Sequence, residues 1–163
     1  MAKRYWLMKS EPDVYGLEHL KAEKNQTCEW DGVRNYQARN LLRDEIRKGD
    51  GVLFYHSRVD PPAVVAACTV VREGYPDPTQ FDPKAKYHDP KSKPDDPRWF
   101  CVDIQLTREF AREVPLPELK ETPGLEEMMV TRKGARLSVQ PVTQEEWKIV
   151  TALGRRKTPP TRG

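Results

Sequence analysis

The segment EWDGVRNYQARN, residues 29–40, contains the side chains best suited to hold a ligand. Trp30 offers a stacking plane, Arg34 a cation for phosphate or carbonyl oxygen, and Asn35 an amide that can pair with a base edge. Asn35 also lies where a helix N-cap is expected, and a helix N-terminus attracts negative charge. Each residue alone suits a structural role, as core tryptophan, surface charge or cap. Their juxtaposition favours a base-sized pocket.

Arg39 and Arg43 lie one turn apart on the helix predicted to follow this segment. Neither has an acidic residue three or four positions toward the C-terminus, and like charges at this spacing are mildly destabilising. An anionic partner would relieve the repulsion, so we expect both arginines to contact phosphate. A solvated helix face is the alternative.

The strand-like segment VLFYHS, residues 52–57, contains one possible general base. Side chains alternate along a strand, so Phe54 and His56 share one face while Tyr55 and Ser57 share the other. His56 therefore points away from Ser57, and no other nucleophile lies nearby in sequence. A structural histidine, or one that lines a pocket, is favoured.

Several classes of site have no support in the sequence. Neither a P-loop nor a dinucleotide-binding glycine motif is present, so no nucleotide cofactor is expected. The three cysteines and three histidines lack the spacing of zinc sites, so we predict no metal and no cofactor. Without its last 13 residues the chain has 24 basic against 25 acidic residues. Because non-specific affinity for nucleic acid depends on neutralising phosphates, a shaped site would have to supply much of the affinity.

Hydrophobic periodicity and turn residues predict the elements that position these side chains. We expect strands at 4–9, 51–57, 62–73, 98–110 and 137–141, a helix after Asn35, short helices at 16–24 and 116–129, and a final helix from a Thr143–Glu146 capping box to Gly154. The apolar run 63–71 predicts a strand buried on both faces. Residues 76–97 hold six of the 15 prolines and predict a long loop that is functional or disordered, with aromatic residues packed down in places. The fold class is α+β, with a mixed sheet curled into a partial barrel.

The chain length suits one domain, which we place at residues 1–154, followed by a basic, proline-containing tail at 155–163. No stretch is long and apolar enough to cross a membrane, and no signal peptide is evident. We therefore expect a cytoplasmic protein, or a nuclear one if the source is eukaryotic, with no membrane partner.

Six separated stretches together resemble one family. They are YWLMKSEP at 5–12, WDGVRNYQARN at 30–40, GDGVLFYHS at 49–57, YPDPTQFDP at 75–83, PRWFCVDI at 97–104 and LSVQPVTQEEW at 137–147. In this order they are similar to the EVE domain family, over residues 4 to about 150. The resemblance implies a PUA-like fold, related to ASCH and YTH domains, with a mixed sheet forming a pseudo-barrel and helices around it.

The resemblance also implies a non-enzymatic reader of modified bases. The expected partner is DNA with 5-methylcytosine or 5-hydroxymethylcytosine, or modified RNA, whose flipped or single-stranded base enters an aromatic and polar pocket. The matching positions, which we expect to bind the base, are Lys9, Ser10, Trp30, Val33, Arg34, Asn35, Tyr55, His56, Ser57, Tyr75, Pro76, Asp77, Ser138 and Gln140. We expect Trp30 to be the stacking wall, with Asn35, Ser57 and Asp77 as base-edge partners. Lys9, Arg34 and Arg39 would face phosphate.

Three alternatives stay open at the level of sequence. The chain could be a nucleoside- or RNA-directed hydrolase of the PUA and ASCH group, with Lys9, His56 and Asp77 doing acid and base work. It could be a protein-interaction module that uses the proline-rich loop. A separate protein partner could also supply affinity that the near-neutral body of the chain lacks.

Overall fold

The computed structural model describes residues 3–134 and 136–157. The strands are β1 (Tyr5–Ser10), β2 (Thr27–Glu29), β3 (Gly51–His56), β4 (Ala63–Pro76), β5 (Phe100–Pro115) and β6 (Val139–Val142). The α-helices are α1 (Pro12–Tyr15), α2 (Leu17–Ala22), α3 (Tyr36–Asn40), α4 (Leu116–Glu121) and α5 (Gln144–Arg155). Short 3-10 turns lie at Lys24–Gln26, Pro78–Phe81 and Met129–Thr131, and a π-helical turn at Leu41–Glu45 follows α3.

The six strands form one mixed sheet in the order β2-β5-β4-β3-β1-β6. Strands β1 and β3 are parallel, and the other neighbouring pairs are antiparallel. In the described part of the chain β2 and β6 are opposite edges and do not pair, so the sheet is open. The predicted α+β class and mixed sheet are confirmed, and the apolar strand β4 lies in the middle of the sheet, as its sequence predicts.

Each face of the sheet has its own core. Alternation along β1 sends Trp6 and Met8 to one face, beneath α2 and α3, while Leu7 points to the other face, beneath α4 and α5. Strand β3 alternates in the same way, with Phe54 in the first core and Tyr55 in the second. The first core is the one from which the candidate site opens.

The proline-rich loop is ordered by a buried glutamine. The amide of Gln80 donates to the backbone oxygens of Asp77 and Trp99, each at 2.8 Å, and its oxygen accepts from the backbone N–H of Trp99 and Arg98 and from the Ser92 hydroxyl. Because a fully buried amide is costly unless its hydrogen bonds are made, these contacts fix the loop against the start of β5. The expectation that parts of this loop pack down is confirmed.

Three local predictions need correction. Strand β2 was not predicted, because three residues carry too little hydrophobic pattern to reveal a strand. The α-helix after Asn35 is shorter than predicted, because Leu41–Glu45 form a π-helical turn. There the Ile46 N–H donates to the Leu41 oxygen, five residues back. Helix α5 continues through Gly154 to Arg155, and a Cβ on Gly154 would lie 2.3 Å from Cδ2 of Phe110. Gly154 is therefore required by packing and does not end the helix. The predicted basic tail spans residues 155–163, of which 158–163 lie outside the described part of the chain.

Candidate nucleic-acid interface

The site begins where the parallel strands β1 and β3 end side by side. The Ser57 N–H donates to the Ser10 oxygen at 2.9 Å, which joins the two strand ends. The Lys9 N–H donates to the Ser138 oxygen, also at 2.9 Å, and brings in the segment before β6. Three stretches that are far apart in sequence therefore meet where strands β1 and β3 end.

Trp30 follows the edge strand β2 and is anchored by its backbone, whose N–H donates to the Val102 oxygen at 2.7 Å. The side chain is only 6% exposed, and its ring meets the Phe54 ring edge to face, with centroids 5.4 Å apart and an interplanar angle of 89°. This contact fixes the orientation of the indole. The part of Trp30 that stays accessible borders two cavities.

The two cavities differ in charge. The first, which we call the acidic cavity, has a volume of about 500 Å³ and is lined by Ser10, Val14, Tyr15, Glu23, Thr27, Cys28, Glu29, Trp30, Asp31 and Tyr87. The second, the basic cavity, has a volume of about 680 Å³ and is lined by Lys9, Ser10, Glu11, Val14, Trp30, Asp31, Gly32, Val33, Arg34, Ser57, Arg58, Lys86, Tyr87, Arg136 and Ser138. Among these described residues the acidic cavity has three carboxylates and no lysine or arginine, whereas five of the seven charged residues of the basic cavity are basic.

The cavities meet at a shared boundary that contains two aromatic residues. Trp30 and Tyr87 border both cavities, together with Ser10, Val14 and Asp31. Tyr87 comes from the proline-rich loop and lies directly against Gly32, where a Cβ would be 2.6 Å from its Cε2 atom. Gly32 also has a φ of +79°, which favours glycine. The glycine of the WDG turn therefore allows the loop to place a second ring at the cavities that Trp30 borders.

A buried ion pair holds this turn and the loop together. Asp77 is fully buried, and its carboxylate accepts from the Gly32 N–H at 2.7 Å and from the Arg34 guanidinium at 3.0 Å. It also accepts from the Thr79 N–H at 2.8 Å and the Thr79 hydroxyl at 2.6 Å. Arg34 donates twice to the Tyr87 backbone oxygen, at 2.6 and 3.2 Å. A carboxylate with so many donors is well compensated for its burial.

Asp31 is the charged residue at the junction of the two cavities. Although it keeps an exposed surface, partial burial and the neighbouring carboxylates of Asp77 and Glu29 raise the pKa of its carboxyl to about 6, against an opposing effect of Arg34. The group is therefore ionised at neutral pH and begins to take up a proton in mildly acidic solution.

Two of the four hydroxyls that line the acidic cavity are committed as donors. Ser10 donates to the Tyr15 backbone oxygen at 2.7 Å, and Thr27 donates to the Asn25 oxygen at 2.9 Å. The Tyr15 hydroxyl is buried without a hydrogen bond of normal geometry in the described structure, and its polar neighbours are Cys28 and Glu23. Burial raises the pKa of Tyr15, so this hydroxyl stays protonated. What Ser10 and Thr27 present to the cavity is therefore lone pairs.

The structure places half of the predicted base-binding residues at the basic cavity. These are Lys9, Ser10, Trp30, Val33, Arg34, Ser57 and Ser138, and two of them, Ser10 and Trp30, also border the acidic cavity. Burial lowers the pKa of the Lys9 ammonium, which lies 5.9 Å from the centre of the Tyr55 ring. Arg34 borders the cavity, although most of its donors are used by Asp77 and the Tyr87 backbone.

The other predicted base-binding residues border neither cavity and make structural contacts. Asn35 caps α3, with its side-chain oxygen accepting from the Ala38 N–H at 2.9 Å. Tyr55 is buried in the second core, and Gln140 is buried with its amide donating to the Leu137 oxygen at 2.8 Å. Folding therefore uses the side-chain oxygen of Asn35 and the amide nitrogen of Gln140.

The residues at the end of β4 also lie outside the cavities. The Tyr75 hydroxyl donates to Asp103 at 2.5 Å, and Pro76 is paired with Phe100 at the end of the ladder. Asp77 lies beneath the site, because its two oxygens serve Gly32, Arg34 and Thr79. Asp77 has no free lone pair that could accept from a base edge, so we assign this residue a supporting role.

The two predicted phosphate contacts lie away from both cavities. Arg39 donates to the Arg98 backbone oxygen at 2.8 Å, and its guanidinium lies 4.9 Å from the centre of the Tyr36 ring. Arg43 forms an ion pair with its neighbour Asp44 at 2.8 Å. Intramolecular partners therefore use hydrogen-bond donors of both arginines for which an external anion was expected. The basic residues at the cavity that the sequence reasoning missed are Arg58, Lys86 and Arg136.

The acid and base groups of the hydrolase alternative are not assembled at one cavity. His56 borders neither cavity, and its Nε2 atom accepts from the Leu17 N–H at 3.1 Å. Asp77 is occupied by its ion pair with Arg34. Of the three residues, Lys9 alone borders a cavity. Within the described residues no group of three or more His, Cys, Asp or Glu side chains is placed to hold a metal ion.

Comparison with known proteins settles the family. The EVE domain model matches residues 4–153, across both cavities and the whole sheet. The chain belongs to the EVE domain family. Mouse thymocyte nuclear protein 1 is 45% identical over an alignment of 165 positions, which covers 91% of this chain and 73% of the mouse protein.

One of the solved structures similar to this EVE domain is a complex with DNA. A crystal structure of human THYN1 with 5-methylcytosine-containing DNA is 42% identical, has a TM-score of 0.86, and covers 96% of this chain and 100% of that one. An ASCH protein from Zymomonas mobilis, 10% identical with a TM-score of 0.53, covers 93% of this chain and 99% of its own, and shares the fold alone. The expected similarity of fold to ASCH domains is confirmed. In the described residues of the EVE domain no helix is long and apolar enough to span a membrane.

Proposed function

We propose that this EVE domain reads 5-methylcytosine in DNA by holding an extruded nucleotide across the two cavities. The base lies in the acidic cavity against Trp30 and Tyr87, and the flanking phosphates lie at the basic cavity. The observation that carries the proposal is the meeting of two cavities of opposite charge at a pair of aromatic rings. A nucleotide has the matching division, with a neutral, hydrogen-bonding base and an anionic backbone.

The dimensions and surfaces of the acidic cavity support this assignment. Its volume of about 500 Å³ lies within the range of pockets that bury small ligands. Aromatic side chains stack on bases at a gain of about 1–3 kcal/mol per base. This gain helps to offset the few kcal/mol that extrusion from the duplex costs.

The basic cavity supplies phosphate contacts that the overall charge does not. Lys9, Arg58, Lys86 and Arg136 converge there from four separate segments. Because the rest of the chain is nearly neutral, this local concentration of cations is the main electrostatic attraction that the described surface offers at the cavities. The human relative's complex is with DNA, which favours DNA over RNA as the partner.

Binding to duplexes with one central 5-methylcytosine, 5-hydroxymethylcytosine or cytosine, measured by fluorescence anisotropy at fixed salt, tests the proposal. We expect the 5-methylcytosine duplex to bind more tightly than the cytosine duplex. A methyl group is worth only about 1 kcal/mol when buried, so the expected ratio is about fivefold. A 2-aminopurine next to the modified base should brighten on binding, since extrusion removes its stacking partner.

Variants of Trp30 separate base capture from general binding. Trp30→Ala should remove the preference for the modified duplex, whereas Trp30→Phe, which keeps an aromatic plane, should retain part of it. Because Trp30 is also a core residue, each variant's thermal unfolding must be measured, and binding compared well below its melting temperature. Equal affinity of the natural chain for all three duplexes would refute the proposal.

A further inference from the structure

A reader of 5-methylcytosine must also reject thymine, and the acidic cavity has a means of doing so. Thymine carries the same 5-methyl group and the same 2-oxo group, so burial of the methyl cannot separate the two bases. They differ at position 4, where 5-methylcytosine has an amino donor and thymine a carbonyl acceptor. Thymine is present throughout ordinary DNA, so this distinction decides whether such a reader finds its target.

From the acceptors that line the acidic cavity, we propose that Asp31 selects the 4-amino group of the captured base and excludes thymine and uracil. The inference rests on the proposed function and names the chemical class that the site takes: nucleobases with an exocyclic amine. An ionised carboxylate accepts hydrogen bonds and cannot donate them. A 4-amino group placed against Asp31 gains a charge-assisted hydrogen bond, whereas a 4-oxo group there meets a second acceptor.

The position of Asp31 distinguishes it from the other two carboxylates. It follows Trp30 directly and borders both cavities, so it lies where a base that contacts the Trp30 and Tyr87 rings would present an edge. Glu23 is a polar neighbour of the buried Tyr15 hydroxyl, and Glu29 borders the acidic cavity alone.

Two hydroxyls of the cavity reinforce the same preference. The hydroxyls of Ser10 and Thr27 already donate to backbone oxygens and present lone pairs to the cavity. No lysine or arginine of the described chain lines the acidic cavity, and the Tyr15 hydroxyl of its lining is buried, with Cys28 and Glu23 as its polar neighbours. A thymine O4 placed against Asp31 would lose its hydrogen bonds to water and meet an acceptor, which is costly for a buried group.

The test compares two duplexes that differ at position 4 of one base, with 5-methylcytosine or thymine opposite the same guanine. At pH 7.5 we expect the 5-methylcytosine duplex to bind about 10- to 100-fold more tightly, as for a good polar contact to a base edge. The comparison is stringent because a mismatched thymine is easier to extrude than a paired base, which favours the wrong ligand. Equal or tighter binding of the thymine duplex would overturn the inference.

Two matched substitutions assign the effect. Asp31→Asn keeps the shape but offers an amide donor to O4, so the preference over thymine should fall by about tenfold, while the preference over cytosine persists. Glu145→Gln makes the same charge change on the exposed surface of α5, outside both cavities, and should leave the preference over thymine intact. If the glutamine variant loses the preference over thymine and the asparagine variant keeps it, the assignment to Asp31 is overturned.

The pH dependence of the preference is an independent readout. The charged groups around Asp31 are the carboxylates of Asp77 and Glu29 and the guanidinium of Arg34. As the pH falls through about 6, Asp31 takes up a proton and can donate to O4, so the preference over thymine should narrow. In Asp31→Asn the smaller preference should not change over the same range, and an unchanged preference in the natural chain would count against the assignment.

The outcomes separate the inference from the proposed function. If 5-methylcytosine binds better than cytosine but no better than thymine, the reader function stands and the inference fails. If 5-methylcytosine binds no better than cytosine, the reader function itself fails.

Discussion

Removal of the Asp77 carboxylate should release the loop that carries Tyr87. In Asp77→Ala the Arg34 guanidinium and the N–H groups of Gly32 and Thr79 lose a fully buried acceptor. Breaking a buried ion pair by removing one partner costs about 3–5 kcal/mol. We expect the lower end, about 3 kcal/mol, because Arg34 is 22% exposed and keeps its two bonds to the Tyr87 oxygen.

The loss is measurable as a change in unfolding. For a domain of this size, about 3 kcal/mol corresponds to a fall of about 6–12 °C in melting temperature, and urea titration gives the free energy of unfolding directly. Asp77→Asn keeps the volume and one acceptor oxygen, so its loss should be smaller, about 1–2 kcal/mol. Asp95, exposed in the same loop, provides the control, since Asp95→Ala should change stability by less than about 0.5 kcal/mol.

The same variant tests whether the ion pair supports the site. At a temperature where Asp77→Ala is still folded, binding of the 5-methylcytosine duplex should weaken, because Gly32 and Tyr87 lose their common anchor. A loss of stability below about 1 kcal/mol together with unchanged binding would refute the reasoning. Asp77 would then be a residue that the loop tolerates and does not need.

Three further outcomes follow from single contacts. Gly32→Ala should lower stability by about 1–3 kcal/mol and weaken binding of the modified duplex, because a methyl group there meets Tyr87 at a positive φ; an unchanged melting temperature would contradict this. Burial lowers the pKa of His56, and its neutral ring accepts a hydrogen bond from the Leu17 N–H. The stability that His56 contributes is therefore present above the pKa of the unfolded state, about 6.5, and is lost as the pH falls from there toward the lower pKa of the folded state. The destabilisation caused by His56→Ala in urea should therefore shrink between pH 7.5 and pH 5, and a constant difference would exclude this titration. Arg58→Gln should weaken modified and unmodified duplexes alike and reduce the salt slope of log affinity by about one, and a loss confined to the modified duplex would show that Arg58 contacts the base.

Several elements were predictable because their signals are local. The Thr143–Glu146 capping box forms as predicted, with both reciprocal hydrogen bonds, and Asn35 caps α3. The apolar run of β4 predicts the central strand, and β3, the strand before it in sequence, pairs with it in antiparallel fashion. In each case the deciding interactions join residues a few positions apart or follow from the pattern of burial along one strand.

The composition of the site was only half predictable. Trp30 and Arg34 were found from their spacing, and Asp31 lies between them in the same motif, where its place beside the tryptophan was an available signal. Tyr87 had a weaker signal, as one of few aromatic residues in a proline-rich loop. Arg136 had none, since nothing in its neighbourhood marks it as part of a cavity.

The sequence alone determined the fold class, the main strands, the N-caps of two helices and the segment that forms one wall of the candidate site. Only the tertiary structure decided which polar groups remain available to a ligand. Asn35 and Asp77 both have side chains that could bind a base edge. However, Asn35 caps a helix, and Asp77 forms an ion pair with Arg34, 43 positions away. A side chain's hydrogen-bonding capacity is written in the sequence, but whether folding has already used that capacity depends on partners that only the folded chain brings within reach.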